Sequence, residues 1–376
     1  MKIMIATGGT GGHINPALDL AHILKQRDSK NEVIFVGSDN RMEATVIPDA
    51  GYKFYGLHIT TTAGSIFSKV TYATSLMKAY FESKKILKKE KPDICIGFGN
   101  YISVPLILAA HHLGIKTMLH EQNSFAGKAN KFLSRYVDAV VGCYESNKEQ
   151  MPKADVRILG NPSASVVKDT VLNPEVIKSV GLSTEIPFVV FMMGSLGSSS
   201  VSKVIDEAIP LFDQDFQVMI VSGKANSYQF QNSESVNVKF VPYIDGKQAL
   251  KGCTLAVTRA GATTISEICA LPTAAVLIPS PFVANNHQVY NAKELADKDA
   301  AIMIEENELS PQLLATTVNT LVHDQQRCSK LKENAHKRGF HQSYQKGKEI
   351  DGKMVEPRHW RYLGIELATE LYEKKL

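Results

Sequence analysis

The first 22 residues, MKIMIATGGTGGHINPALDLAH, constrain the fold more than any other stretch. An apolar run over residues 2–6 reads as a buried strand, and four glycines (Gly8, Gly9, Gly11, Gly12) then surround Thr10. A helix is expected from near Pro16, whose fixed φ suits a first turn. Ala17, Leu18, Ala21 and Leu24 recur at helical spacing and give that helix an apolar face. Strand, glycine turn and helix in this order bring bare main-chain N–H groups up to an anion. Glycine lacks the Cβ that would block a close approach, and the helix N-terminus favours negative charge. A βα turn that is only tight would not need four glycines in five positions.

The stretch fits neither common phosphate fingerprint: no Lys-Ser/Thr follows it, and its spacing is not G-x-G-x-x-G. It ends instead in His13, at the lip of the expected anion site. The residues leave two roles open there, a base or donor toward a phosphate or sugar oxygen, and a cap of the helix.

Strands recur at 33–37, 93–97, 117–120 and 139–142, with helical stretches between them. After a break at Gly160, Asn161 and Pro162 they resume at 188–193, 217–221, 255–258 and 275–278. The pattern predicts an α/β protein of two Rossmann-like, doubly wound parallel-sheet domains, over 1–160 and 161–340, facing a cleft. Residues 341–376 read as a polar tail and C-terminal helix packing back on the first domain.

A chain of 376 residues with 44% hydrophobic and 21% charged residues can bury two cores. Its net charge of +4 does not argue for a nucleic-acid partner. Five scattered cysteines without C-x-x-C spacing suit reduced thiols in the cytoplasm and no zinc site. No signal-peptide pattern and no apolar run of membrane-spanning length is present, so any membrane contact is expected to be peripheral.

One such contact is legible between Thr60 and Pro92. Residues 78–91 carry six lysines, Lys78, Lys84 and Lys85 among them, against Glu82 and Glu90. Ile66, Phe67, Tyr72, Leu76 and Met77 lie just upstream, and Tyr80 and Phe81 stand among the lysines. Basic residues beside exposed aromatics suit an anionic lipid surface. The residues taken alone favour an amphipathic helix whose Leu76, Tyr80 and Leu87 pack inward while the lysines are solvated.

Three further constellations carry chemistry. His120, Glu121, Gln122 and Asn123 follow a strand directly, and an amide such as Asn123 can both donate to and accept from sugar hydroxyls. Arg259 to Glu267 opens a helix with small and hydroxyl residues, a second anion site in which Ala262, Thr263 and Thr264 would meet a diphosphate. Glu267, one turn in, could accept two ribose hydroxyls, although a first-turn glutamate also simply favours a helix. Asn285 to Ala292 crowds amides and His287 into a loop that leads into a helix.

These motifs together resemble the MurG family, the glycosyltransferases that add N-acetylglucosamine to lipid I in bacterial cell-wall synthesis. G-G-T-G-G-H-x-x-P-A, H-E-Q-N, R-A-G-A-T-T-I-S-E and N-H-Q-x-x-N-A appear in the family's order over roughly residues 1–330. The resemblance implies a GT-B fold and UDP-N-acetylglucosamine as co-substrate, with no tightly bound cofactor and no metal. It implies donor contacts at Thr10, Gly11, Gly12, Asn123, Ser195, Ile244, Ala262, Thr263, Thr264, Glu267 and Gln288. It implies an acceptor diphosphate, part of a polyprenyl-diphosphate-linked sugar, at Gly8, Gly9, Gly11 and Gly12. It also favours membrane contact through Ile66, Phe67, Tyr72, Lys78, Lys84 and Lys85 at the anionic cytoplasmic face of the cell membrane. The sequence departs from the family in places: Ala164 stands where G-N-P-x-R has its arginine, which bears on donor affinity, and Asn100 and Met193 replace glycines, and Leu196 a common glutamine.

The mechanism implied is inversion by direct displacement as UDP departs, with His13 as base and Glu121 as the alternative. No D-x-D motif follows a strand, so metal clamping is not the default. Competing classes are a UDP-sugar epimerase of similar architecture and a non-catalytic UDP-sugar sensor. A dinucleotide oxidoreductase is disfavoured by the missing G-x-G-x-x-G.

Overall fold

In β1 (Lys2–Ala6) the side chains alternate between two apolar faces, as the period of a strand requires. Ile3 and Ile5 pack with Ile14, Ala17, Leu20 and Leu24 of α1 (Gly11–Arg27), and Met4 and Ala6 pack on the other face. A strand buried on both sides belongs inside a parallel sheet. The computed structural model describes residues 1–60, 66–168, 170–194, 197–223, 228–232, 237–283, 286–339, 349–350 and 353–354. It divides between Ser163 and Ala164 into two units.

In the first unit β1 and α1 are followed by β2 (Glu32–Ser38), α2 (Glu43–Asp49), β3 (Lys53–Leu57), α3 (Ile66–Glu90) and β4 (Ile94–Gly97). Then come α4 (Ser103–His112), β5 (Lys116–Glu121), α5 (Lys128–Leu133), β6 (Ala139–Gly142), α6 (Ser146–Gln150) and β7 (Val156–Ile158). The strands form one parallel sheet in the order β3-β2-β1-β4-β5-β6-β7. The order reverses between β1 and β4, so the loops leaving their carboxyl ends flank the crevice where such sheets bind ligands.

The first helix begins at Gly11, five residues before the expected Pro16. The carbonyl of Thr10 accepts the N–H groups of His13 and Ile14 at 3.0 and 3.1 Å, closing the first turn at the glycines themselves. Pro16 is then the sixth helical residue, where its missing N–H leaves only the Gly12 carbonyl without its i+4 donor. The helix therefore opens inside the glycine run.

The boundary falls inside α7 (Pro162–Val167), and in the second unit α8 (Pro174–Lys178) leads into β8 (Phe188–Met192), α9 (Ser199–Ala208), β9 (Gln217–Val221) and β10 (Val238–Val241). There follow α10 (Gly246–Gly252), β11 (Leu255–Thr258), α11 (Ala262–Ala270), β12 (Ala274–Leu277), α12 (His287–Ala296), β13 (Ile302–Met303), α13 (Pro311–His323) and α14 (Gln325–Gly339). The sheet is again parallel, ordered β10-β9-β8-β11-β12-β13, with its reversal between β8 and β11. Val189 and Phe191 of β8 pack with Val201 and Ile205 of α9 and with Leu314 and Val318 of α13.

The expected packing of residues 341–376 on the first domain lies outside the described residues, apart from the two-residue strands β14 (Glu349–Ile350) and β15 (Lys353–Met354). Short strands such as β3, β7, β10 and β13 were not legible in the sequence, because the sheet supplies their partners and their own patterns are brief.

Candidate active site

At the first reversal, the four glycines have two different uses. A Cβ on Gly8 would overlap the carboxylate of Glu43, and one on Gly9, at φ +86°, would overlap the side-chain amide of Asn100. The N–H of Gly9 is already donated to Glu43 Oε2 at 3.1 Å. At Gly8 and Gly9, then, the missing side chains make room for protein atoms, and at Gly9 the N–H expected to face a ligand is engaged by protein. Gly11 and Gly12 are different. Their nearest neighbours in the direction of a Cβ lie at 3.8 and 3.7 Å, and they occupy the first two positions of α1. As the first two residues of α1, they carry N–H groups with no acceptor inside the helix.

His13 follows on the first turn, half-buried, with Nδ1 at 3.0 Å from Thr10 Oγ1. Gly99 lets the ring lie close, since a Cβ there would come within 3.3 Å of Nε2. The cap residue of the helix is Thr10, whose hydroxyl meets the His13 ring. If Nδ1 donates to Thr10, Nε2 carries the basic lone pair.

His120 lies behind it, 3% exposed and stacked on Phe98 with ring centroids 5.0 Å apart. Its Nε2 donates to the Gly160 carbonyl at 3.0 Å, while Nδ1 is buried without a partner among the described residues. Burial pushes its pKa down to about 4, the Gly160 bond opposes this, and nearby His13 adds to it. His120 is thus a neutral ring offering one acceptor.

Glu121, expected as the alternative base, is buried and held at both oxygens. It is 2% exposed; Oε1 accepts from the main-chain N–H and side-chain Nδ2 of Asn123, and Oε2 from Gly127 N–H and Asn130 Nδ2. Burial pushes its pKa up against these four bonds. With its lone pairs engaged, its work is to hold Asn123 and the turn after β5. Asn147 fixes the same turn by donating to the Asn123 carbonyl at 3.0 Å.

At the second reversal, Gly261 caps α11 and Ala262, Thr263 and Thr264 form its first turn. The hydroxyls of Thr258 and Thr263 are buried without partners among the described residues. Glu267 is half-buried one turn on. Ile244, 8% exposed, sits between β10 and α10, whose cap Asp245 accepts from Lys247 N–H at 3.0 Å. Gln288 accepts the N–H of Ser280 at 2.9 Å, so its side chain also shapes the loop before α12. Ser195 lies outside the described residues.

The sequence reading missed what Arg259 does. Its guanidinium bonds Glu306 at 2.6 Å, Ser198 Oγ at 2.6 Å and the Ile278 carbonyl at 3.1 Å, while Ser200 Oγ donates to the other oxygen of Glu306 at 2.6 Å. The loops after β8, β11 and β13 are tied together by one buried ion pair. The signal was distant in sequence, since Glu306 stands 47 residues from Arg259. Ala164, where the resembled pattern has an arginine, is buried at 3% exposure in α7.

On α3, Leu87 and Ala79 are buried and Leu76 and Tyr80 pack against the same core. Tyr72 also turns inward, edge-on to Tyr101 at 6.2 Å, which corrects its placement on the outer face. Val70, Met77 and Phe81 are 58%, 63% and 56% exposed, beside exposed Lys78 and Lys85 and half-buried Lys84. The side chains of Ile66 and Phe67 lie outside the described residues. Among the described residues no helix is long and apolar enough to cross a membrane.

Comparison with known proteins decides the family. Residues 3–141 match the glycosyltransferase family 28 N-terminal domain, and residues 188–349 match its C-terminal domain. A curated relative from Limosilactobacillus fermentum is 38% identical over 343 residues, 89% of this chain and 93% of its own length. It is named UDP-N-acetylglucosamine--N-acetylmuramyl-(pentapeptide) pyrophosphoryl-undecaprenol N-acetylglucosamine transferase. The chain belongs to the MurG family of glycosyltransferases. The crystal structure of Acinetobacter baumannii MurG superposes with a TM-score of 0.72 at 26% identity, covering 89% of this chain and 94% of that one. A putative UDP-N-acetylglucosamine 2-epimerase from Listeria monocytogenes shares the fold alone, with a TM-score of 0.64 at 13% identity over 90% of this chain and 93% of that one. The MurG family thus accounts for both halves of the chain, as two parallel-sheet, Rossmann-like domains of the GT-B type.

Proposed function

We propose that the chain transfers N-acetylglucosamine from UDP-N-acetylglucosamine to the muramyl sugar of a polyprenyl-diphosphate-linked acceptor, lipid I, inverting the anomeric carbon. The observation that carries this reading is the start of α1 at Gly11 and Gly12, whose N–H groups have no acceptor inside the helix, with His13 on the same turn. These donors hold a diphosphate, and the imidazole stands beside it to take the proton of an attacking sugar hydroxyl. For that step Nδ1–H donates to Thr10 Oγ1 and Nε2 receives the proton.

The donor is held by the second unit. The first turn of α11 stabilises the diphosphate, which gains charge as it leaves. The unpartnered hydroxyls of Thr258 and Thr263 supply hydrogen bonds that the free protein lacks. Glu267 accepts from the ribose, the main chain at Ile244 meets the uracil, and Asn123 and Gln288 read the sugar. Glu121 positions Asn123 and stays out of the chemistry. The exposed row Val70, Met77 and Phe81 with its lysines docks the enzyme on the anionic inner leaflet, where the acceptor resides.

The test is UDP release from UDP-N-acetylglucosamine with and without a short-chain polyprenyl-diphosphoryl muramyl-pentapeptide. Release that depends on the acceptor supports transfer. Turnover without acceptor would make the chain an epimerase or hydrolase, and tight UDP binding without turnover would make it a sensor.

A further inference from the structure

Glu43 opens α2 with no exposed surface. Its two oxygens accept the N–H groups of Gly9 and Ser38, both at 3.1 Å. The backbone at Gly8 is not left-handed, so glycine is demanded there by space alone. A Cβ at residue 8 would stand 2.6 Å from Glu43 Cδ. Asn100, itself at φ 65°, donates from Nδ2 to the Gly8 carbonyl at 3.1 Å and accepts from Tyr101 N–H at 2.6 Å. Residues from the ends of two other strands thus hold the first half of the glycine loop on both its N–H and its C=O.

We infer that Glu43 and Asn100 are the positioning residues of this loop: they fix Gly8 and Gly9 so that the N–H groups of Gly11 and Gly12 are aimed before the acceptor diphosphate arrives. A loop already ordered by protein contacts loses less conformational freedom on binding, and the saving appears as affinity. Glu43 also takes the Gly9 donor out of competition for the anion. The inference rests on the reading of Gly11 and Gly12 as the acceptor site, and its test separates the two.

Steady-state kinetics of the full chain are measured with saturating UDP-N-acetylglucosamine and the same short-chain acceptor varied. Asn100→Gly keeps the left-handed backbone and removes the bond to Gly8, while Glu43→Gln keeps the volume and leaves one acceptor oxygen in place of two. Each is expected to raise the acceptor KM about threefold to tenfold, the scale of one hydrogen bond, with kcat and donor KM little changed. Gly8→Ala is expected to raise it further, and Glu43→Asp, which withdraws the carboxylate by one methylene, to recover part of that loss. Gly12→Ala, which meets no protein atom closer than 3.7 Å, reports on the ligand alone. If it raises the acceptor KM while Asn100→Gly and Glu43→Gln do not, the positioning role is overturned and the site stands. If Gly12→Ala also has no effect, the site itself is overturned. A matched loss of donor affinity and kcat in Asn100→Gly would indicate general loosening and would equally overturn the inference.

Discussion

The imidazole of His120 donates from Nε2 to the main-chain oxygen of Gly160 at 3.0 Å, joining the end of β5 to the segment after β7. Because a carbonyl only accepts, the contact fixes the tautomer and leaves Nδ1 a lone pair. The folded protein therefore holds a neutral ring whose pKa lies near 4, below the ordinary value of 6.5. In the unfolded chain the same group takes up a proton near 6.5, so between those values the unfolded state binds more protons.

Stability is accordingly expected to fall as pH drops from about 6.5 toward 4, by up to an order of 3 kcal/mol from this residue. Above 6.5 the contribution is fully present. Urea midpoints of the protein and of His120→Gln across pH 4 to 7 check this. The variant should lose that part of the slope, and an unchanged slope would mean that the ring charges within the fold.

His13→Ala should lower kcat by about 10²- to 10⁴-fold, the range of a general base, with the donor KM within about twofold. Initial rates against UDP-N-acetylglucosamine at fixed acceptor measure both. Lost donor affinity with kcat retained would move His13 from proton transfer to binding.

Glu306→Ala leaves the Arg259 guanidinium buried without its carboxylate, and both side chains are little exposed, at 10% and 13% in the pair. Breaking such a pair costs about 3–5 kcal/mol, and the loops after β8, β11 and β13 lose their common tie. Chemical denaturation and UDP titration should show lower stability together with weaker nucleotide binding. Glu306→Gln, which still accepts one hydrogen bond from Arg259, should lose less of each.

Met77→Glu with Phe81→Glu places two carboxylates on the exposed row of α3 and leaves its buried face untouched. Binding to phosphatidylglycerol-containing vesicles is expected to weaken at least about tenfold, with the thermal midpoint unchanged. Co-sedimentation with vesicles reads this directly. Raising the salt concentration should weaken the unaltered protein too, because the neighbouring lysines act through a screened field.

Much of the architecture was legible in order along the chain. Apolar runs that end in glycine or small-residue turns gave the parallel sheets, since a strand buried on both faces needs no alternation and announces itself as a run. The motifs proposed to hold donor and acceptor were equally visible, because main chain that must approach an anion closely calls for glycine, small residues and a helix start. Three readings turned on contacts that residue type alone does not reveal. Pro16 suggested a helix start, but the Thr10 carbonyl closed the turn earlier. Glu121 looked like a base until burial and four donors engaged it. Tyr72 looked like a membrane contact and turned inward to Tyr101.

The sequence by itself determined which residues could meet a phosphate or a sugar, because that chemistry depends on residue type at short spacing. Only the tertiary structure decided how the glycines are divided, two filled by Glu43 and Asn100 and two left open at the start of α1. Glu43 and Asn100 lie 34 and 92 residues from the main-chain atoms they bond. No local pattern encodes such a meeting, because it is set by which strands lie side by side in the sheet.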